Sequence, residues 1–245
     1  MNNNSKRVGR LTSSNASLFI VAGTKGNDFG KGALTYIDDK RKEIEYGRGL
    51  SLPINKIDVL WGKVWEPFVH WQLGNDYKMI VDETTLHPKY SFWSGTQDFT
   101  VEVPGGCIAE LKSFQLSNHY DYVKVLQQQN IPLLKKEYAD AYWQIVSNSC
   151  IHKTKYGEAI AFMPTEKQLI EMRKLLEESD YIIKFLKDDK PFKYMWIVEN
   201  DLYDLPFIPS HSDFPSLVKF RFEVPVEDKV LLTEKMIKAG ELLLA

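Results

Sequence analysis

Two short extended segments joined by a tight turn constrain the fold of this chain more than any other feature. Residues 99–103 alternate between apolar and polar side chains, and residues 107–111 form a short, mostly apolar run. Alternation with a period of two is typical of a strand with one buried face, and the intervening Pro-Gly-Gly at 104–106 is a strong turn signal. The pattern therefore predicts a β-hairpin.

The length of the hairpin loop decides which side chains share a face. Side chains two residues apart in a strand point the same way, so Glu110 and Lys112 are neighbours on one face. A three-residue loop places Val103 opposite Cys107, and Asp98 opposite Lys112 and diagonal to Glu110, all on that face. A two-residue loop moves Asp98 to the other face. We expect the three-residue loop.

Two carboxylates and an amine on one face indicate a site for a divalent cation. Adjacent carboxylates repel each other unless a cation neutralises them, and Mg²⁺ suits two acidic side chains plus a substrate phosphate. The cation activates a bound water, which Lys112 can position or help deprotonate while it stabilises charge on phosphorus. Asp98, Glu110 and Lys112 thus favour phosphodiester hydrolysis. The spacing alone is also compatible with a solvated Glu–Lys pair on a surface hairpin.

The remaining periodicities predict the elements around this hairpin. Residues 57–73 and 138–150 have helical patterns, and 158–163 is strand-like up to Pro164. A capping box at 165–168 begins another helix, 194–198 is a further strand, and 227–244 is an amphipathic helix. This order predicts one α/β domain over residues 1–245, with a central mixed sheet flanked by helices and the helices from about 165 packing on the core.

Composition excludes several classes of protein. The two cysteines, Cys107 and Cys150, are too few for a disulfide framework, and the five histidines lack the spacing of zinc ligands. The glycine-rich stretch 23–32 departs from the phosphate-loop pattern, so we expect a mobile loop near the DNA entry instead. No apolar run approaches the roughly 20 residues that span a bilayer. We expect a cytoplasmic protein without a membrane partner. The net charge of −2 gives no bulk basic excess for nucleic acid, although one groove can be lined by cations.

Six short motifs occur in a fixed order between about residues 6 and 164: Arg7 with Thr12-Ser13-Ser14, Trp61-Gly62-Lys63-Val64-Trp65-Glu66, Thr96-Gln97-Asp98, Glu110-Leu111-Lys112, Tyr142-Trp143-Gln144 and Ala161-Phe162-Met163-Pro164. As an ordered set they resemble the lambda-exonuclease-like (viral recombinase) family of the PD-(D/E)xK nuclease superfamily. Gln97 and Phe99 depart from the proline and glycine of that family, which leaves the loop before the strand differently shaped.

The resemblance implies a restriction-endonuclease-like core and a role for each motif. Asp98 and Glu110 would be metal ligands together with the backbone carbonyl of Leu111, and Lys112 would handle the water. Glu66 would support a metal or its waters, and Gln144 would orient the site. A pocket for a 5′-terminal phosphate would be lined by Arg7, Ser14 and Thr96.

Helical periodicity raises an alternative for Glu66. On the helix over 57–73 this residue lies opposite the centre of the apolar face, which is equally typical of a solvated glutamate. It serves the site only if Gly62, Glu66 and Val69 form a second face towards a cleft.

The resemblance also implies a function. It is that of a Mg²⁺- or Mn²⁺-dependent deoxyribonuclease, a 5′-to-3′ exonuclease on double-stranded DNA ends in phage-type recombination. Its products would pass to a single-strand annealing protein, in the host cytoplasm if a phage encodes the chain. A homo-oligomeric ring around DNA is implied, and a monomer remains open. The alternatives are an endonuclease of restriction or repair type on the same core, and a DNA-binding protein of this fold without catalysis.

Overall fold

A computed structural model describes residues 6–23, 28–50, 57–81, 83–178, 180–188 and 190–245. Its strands are β1 (Leu11–Thr12), β2 (Tyr77–Met79), β3 (Thr85–Leu86), β4 (Trp93–Gly95), β5 (Phe99–Val101), β6 (Cys107–Lys112), β7 (Tyr156–Phe162) and β8 (Leu217–Glu223). Its α-helices are α1 (Lys31–Tyr46), α2 (Ile57–Leu73), α3 (Leu116–Gln127), α4 (Ile131–Glu137), α5 (Ala139–His152), α6 (Glu166–Glu178), α7 (Trp196–Glu199) and α8 (Val226–Leu244). Shorter helical turns are Ser13–Phe19, Ile182–Leu186, Pro191–Tyr194 and Leu202–Asp204.

A mixed sheet with the strand order β2-β5-β6-β7-β8 forms the centre of the described part of the chain. The β6–β7 pair is parallel and the other neighbouring pairs are antiparallel. A smaller sheet of β1, β4 and β3 lies beside it. This arrangement confirms the predicted α/β fold with helices on a mixed sheet.

Strand β6 is buried on both faces, which explains its nearly continuous apolar sequence. Ile108 belongs to one apolar core with Trp143 of α5, and Ala109 belongs to a second core with Trp65 of α2. The helices α2 and α5 therefore cover opposite faces of the strand that carries Glu110.

The four predicted helices lie near the observed bounds of α2, α5, α6 and α8, whereas α1, α3 and α4 are not among the predicted elements. The predicted capping box is present, since the Thr165 amide donates to Gln168 Oε1 at 2.8 Å and the Gln168 amide donates to Thr165 Oγ1 at 3.4 Å. Within the described residues no helix is long and apolar enough to span a bilayer. Residues 24–27 of the glycine-rich stretch lie outside the described residues, so its interpretation as a loop stays a prediction.

The predicted strand over residues 194–198 is wrong. A helical turn ending at Tyr194 and the short helix α7 occupy this segment. Tyr194 and Ile197 are the buried positions, and a spacing of three residues is helical. The sequence does not show this period, because all five residues of the segment are apolar.

The hairpin is confirmed, but its predicted register is wrong by two residues. Phe99 pairs with Ala109 and Val101 pairs with Cys107, so five residues rather than three connect the strands. Within the turn, the Gly106 amide donates to the Val103 carbonyl at 2.9 Å, and from outside the hairpin the Lys155 amide donates to the Gly105 carbonyl at 2.7 Å. Local sequence carries no information about this contact with the start of β7.

Candidate active site

The corrected register brings two acidic side chains closer than predicted. Asp98 directly precedes β5, and extending the observed pairing by one residue places it opposite Glu110. Its carboxylate accepts a hydrogen bond from the Leu111 amide at 2.6 Å, and its backbone carbonyl accepts from the Ile80 amide at 2.9 Å. Asp98 and Glu110 therefore share one face of the sheet, as the hairpin geometry required.

Helix α5 supplies both hydrogen-bond donors that hold Glu110. The Gln144 amide nitrogen donates to Glu110 Oε2 at 2.6 Å, and the Asn148 amide nitrogen donates to Oε1 at 2.5 Å. Gln144 and Asn148 are four residues apart and therefore lie on one face of the helix. Glu110 is 0% exposed, and these two donors are electrically neutral, so they orient its carboxylate without neutralising it.

Burial and proximity both raise the pKa of these acids. Burial raises the pKa of Glu110 well above its ordinary value, and the charge of Asp98 raises it further. Burial also raises the pKa of Asp98, an effect that the Lys112 ammonium opposes. Two acids with raised pKa values at one place favour a divalent cation, because it would stabilise both charged forms.

Lys112 ends β6 on the same face and is joined to the acids through Gln144. Its ammonium donates to Gln144 Oε1 at 2.9 Å, while the nitrogen of the same amide donates to Glu110. Gln144 thus links the amine to the acid, and its orienting role stays a prediction.

A cleft with two compartments opens above the acid pair. One compartment of about 200 Å³ is lined by Arg7, Ser14, Glu66, Thr96, Asp98 and Gln144, among others. The other, of about 500 Å³, is lined by residues that include Glu66, Asp98, Leu111 and Lys112. With Glu110 directly beneath, the structure brings all nine predicted site residues together. Their roles stay predictions.

Glu66 faces this cleft rather than bulk solvent. Gly62, Lys63 and Glu66 line the larger compartment along one side of α2, whereas Val69 is fully buried in the apolar core. The predicted second face of α2 therefore exists, but Lys63 rather than Val69 belongs to it. The helix continues through Pro67 to Leu73.

The oxygen atoms around Asp98 suit a divalent cation that prefers oxygen ligands. The Leu111 amide points to Asp98, so the Leu111 carbonyl lies on the same edge of β6 as the acid pair. Two carboxylates and one carbonyl match the ligands that Mg²⁺ or Mn²⁺ takes, with waters completing the shell. Among the described residues no three histidine, cysteine, aspartate or glutamate side chains converge on one ion.

Hydroxyl groups dominate the smaller compartment. Thr84 and Thr96 are joined through their side-chain oxygens at 3.0 Å, and Thr12 and Ser14 are joined in the same way at 3.1 Å. Together with the Arg7 guanidinium, these donors suit a phosphate group.

The wall of this compartment packs tightly against α5. Ser147 donates to Ser13 Oγ at 2.9 Å, and Asn148 donates to the Thr96 carbonyl at 3.1 Å. A Cβ at Gly95 would lie 2.1 Å from Asn148 Oδ1 and 2.2 Å from Ser13 Oγ, so only glycine fits there.

The sequence motifs missed two residues of the site. Asn148 is fully buried and contacts both Glu110 and the Thr96 carbonyl. Its position four residues after Gln144 on a predicted helix was a usable signal, because an asparagine inside a helix needs a partner. Lys63 lies within a quoted motif, and its charge lowers the pKa of Asp98 against the larger effect of burial.

Comparison with known proteins supports the fold. No family model and no curated protein matches the chain. The alkaline exonuclease LHK-Exo of Laribacter hongkongensis aligns with a TM-score of 0.57 and 12% identity over 98% of this chain and 93% of that one. Its complex with dAMP gives 0.58 and 14%, over 98% and 89%. A phage-related exonuclease of Haemophilus somnus 129PT gives 0.58 and 14%, over 96% and 93%. The chain shares their fold over nearly its whole length.

Proposed function

We propose that this chain is a metal-dependent exodeoxyribonuclease that hydrolyses double-stranded DNA from its ends. The observation that carries the proposal is the placement of Asp98 opposite Glu110 at the floor of a cleft, with Lys112 on the same face. The shared fold adds support, since the similar solved structures are named as exonucleases.

Asp98, Glu110 and the Leu111 carbonyl would hold Mg²⁺ or Mn²⁺, with Glu66 contacting its waters. Such an ion, when bound, would supply a water of lowered pKa and would stabilise negative charge on the phosphate. Hydrolysis adds this water to phosphorus and breaks one P–O bond, which leaves a phosphate on one fragment and a hydroxyl on the other.

The side chains of the protein orient the reacting groups. Gln144 accepts from the Lys112 ammonium and donates to Glu110, so the amine is held at a fixed position beside the acid pair. From there Lys112 can donate to a phosphate oxygen or to the attacking water. Because the Lys112 ammonium is held in place before the reaction, it would stabilise the charge that develops on the phosphate more strongly in this buried site than in water.

The smaller compartment favours an exonuclease over an endonuclease. Its volume of about 200 Å³ and its hydroxyl lining suit a terminal phosphate better than a continuous strand. Arg7, Ser14 and Thr96 would bind the 5′-phosphate, which implies cleavage in the 5′-to-3′ direction. The single-stranded product would pass to an annealing protein in phage-type recombination, in the host cytoplasm, and a homo-oligomeric ring on DNA belongs to the same proposal.

The decisive assay compares linear with closed-circular duplex DNA in Mg²⁺. We expect the wild-type chain to degrade only the linear form. Asp98→Asn keeps the acceptor for the Leu111 amide but removes the charge, so its rate should fall by at least about 10³-fold, because metal catalysis contributes several kcal/mol. Glu110→Ala and Lys112→Ala should also abolish turnover. Glu177→Ala and Lys174→Ala, exposed residues of α6, are matched controls that should retain activity.

Each alternative has its own outcome. Cleavage of closed circles would identify an endonuclease on the same core. Binding of duplex without turnover in Mg²⁺ or Mn²⁺ would identify a DNA-binding protein without catalysis. Equal rates for Asp98→Asn and wild type would contradict the proposed site.

A further inference from the structure

Four lysines recur at every third position in one segment of the chain: Lys184, Lys187, Lys190 and Lys193. Residues 184–193 carry these four lysines against two aspartates, Asp188 and Asp189, whereas the whole chain carries 31 lysines and arginines against 33 acids. A local concentration of cations in a chain with no basic excess points to a local anionic partner.

This segment borders the candidate active site. Leu186, Asp188 and Tyr194 line a small cavity whose opposite wall includes Lys63 and Glu66 of α2. Lys63 and Glu66 also line both compartments of the cleft. The segment that carries the lysines therefore borders the cleft.

Asp188, the acid in the described part of this segment, is hydrogen-bonded to other residues of the same segment. Asp188 accepts from the Lys190 backbone amide at 3.0 Å, from the Tyr194 hydroxyl at 3.3 Å and from the Lys193 ammonium at 3.4 Å. Lys193 is half-buried by these contacts, whereas Lys184, Lys187 and Lys190 are exposed. These three exposed residues are called the lysine rim below.

Lys187 has a backbone conformation that disfavours its side chain. Its φ of 53° lies in the left-handed region, at the end of the helical turn Ile182–Leu186, where glycine is unstrained. Because the Lys187 side chain is exposed, burial does not offset this strain. Gln129 and Lys153 have the same left-handed φ at the ends of helices, so this conformation is a common way to end a helix, and glycine can replace Lys187 without strain.

We propose that the lysine rim binds phosphates of the DNA backbone as the duplex enters the cleft. The identification of the anion as DNA rests on the proposed function, whereas the lysine rim itself indicates only that the partner is anionic. Contacts of lysine with phosphate release counterions, so they raise affinity in a manner that weakens with salt. Such contacts position the duplex without sequence preference, which a nuclease that acts on any DNA end requires.

Equilibrium binding to a fluorescent duplex tests this proposal independently of catalysis. The measurement uses the Asp98→Asn chain with EDTA, over a series of salt concentrations. Lys187→Gly removes the charge and relieves the backbone strain, so loss of folding does not complicate the result. Lys153→Gly is a matched control: Lys153 is also exposed, has a φ of 55° and ends α5 near the opposite end of β6 and β7.

We expect Lys187→Gly to raise the Kd for the duplex by about fivefold at low salt, the factor for one charge pair at contact in water. The slope of log K against log salt should fall by about 1, and by about 3 when Lys184→Ala and Lys190→Ala are added. Lys153→Gly should change neither quantity.

An unchanged Kd and slope in the triple variant would overturn the lysine rim, as would an equal loss in Lys153→Gly. A failed nuclease assay gives a different result. If the wild-type chain binds duplex through the rim but never cleaves it, the rim stands and the proposed function falls. If the chain cleaves and the triple variant binds as tightly as wild type, only the rim falls.

Discussion

Two buried glutamates on adjacent strands differ in how their charge is compensated. Glu158 on β7 is 1% exposed, and it accepts from Arg221 Nε and from the Tyr77 hydroxyl, each at 2.5 Å. Glu110 on β6 is equally buried but has only neutral amides as donors and faces a second acid, Asp98. The two glutamates point to opposite faces of the sheet, since Glu158 pairs with Ala109.

The comparison separates a structural acid from a candidate functional one. A buried carboxylate with an arginine partner has its charge balanced inside the chain. Asp98 and Glu110 keep raised pKa values although the Lys112 ammonium lies beside them and opposes the effect, and such clusters of buried acids mark sites that bind ions or react. Burial alone therefore does not identify a site, whereas two buried acids whose charges are only partly balanced favour one.

The largest effect on stability is expected at the balanced acid. Glu158→Gln leaves the Arg221 guanidinium without its counter-charge, so the free energy of unfolding should fall by about 2 to 3 kcal/mol, less than the loss of about 3 to 5 kcal/mol for a fully buried pair because Arg221 is partly exposed. Urea unfolding measures this loss. Nuclease activity per folded molecule should be unchanged, and its disappearance would contradict a purely structural role for Glu158.

A smaller effect, on activity, is expected when Glu110 loses one of its hydrogen-bond donors. Asn148→Ala leaves Gln144 as the amide donor to Glu110 and releases the Thr96 carbonyl. Activity should fall by about tenfold with a higher Mg²⁺ requirement, as for other residues that orient a metal ligand. Titration of Mg²⁺ in the nuclease assay and by calorimetry checks both. Asn200→Ala, which removes an exposed asparagine outside the cleft, is the control. Normal Mg²⁺ affinity in Asn148→Ala would refute the positioning role.

The smallest effect concerns pH in the absence of divalent cations. The pKa values of Asp98 and Glu110 are raised above their ordinary values of 3.8 and 4.5, mainly by burial. The folded chain then retains protons that the unfolded chain has released, so stability is full at low pH and falls as pH rises through the raised pKa values. Urea unfolding in EDTA should show a steeper fall for wild type than for Asp98→Asn. A parallel pH dependence in the two chains would contradict the coupling of these acids.

The sequence was sufficient for the faces of the hairpin but not for its register. Val101, not Val103, pairs with Cys107, because the carbonyls of Gly105 and Gly106 accept hydrogen bonds from backbone amides at the start of β7. That contact is between residues about 50 positions apart, and a local pattern contains no trace of it. An error of two residues preserves the face of every side chain, which is why the acids still converge.

Other misses have the same physical origin. The segment 194–198 is apolar at every position, so its packing against the core around α2, and not its own period, selects helical turns. Strand β8 carried a readable alternation, with Phe220 and Phe222 buried and Lys219 and Arg221 exposed, but it was not predicted. The convergence of Arg7, Ser14 and Thr96 with the acids came from the resemblance, since no spacing in the chain relates them.

Helix α5 contacts the hydroxyl-lined compartment through Ser147 and Asn148, and the acid pair and its amine through Gln144 and Asn148. One rigid element therefore sets the separation between the place where a strand terminus would be seated and the place where a bond would break. In the proposed exonuclease this separation would act as a molecular ruler. It would make every cut release a fragment of the same length, whatever the bases in it.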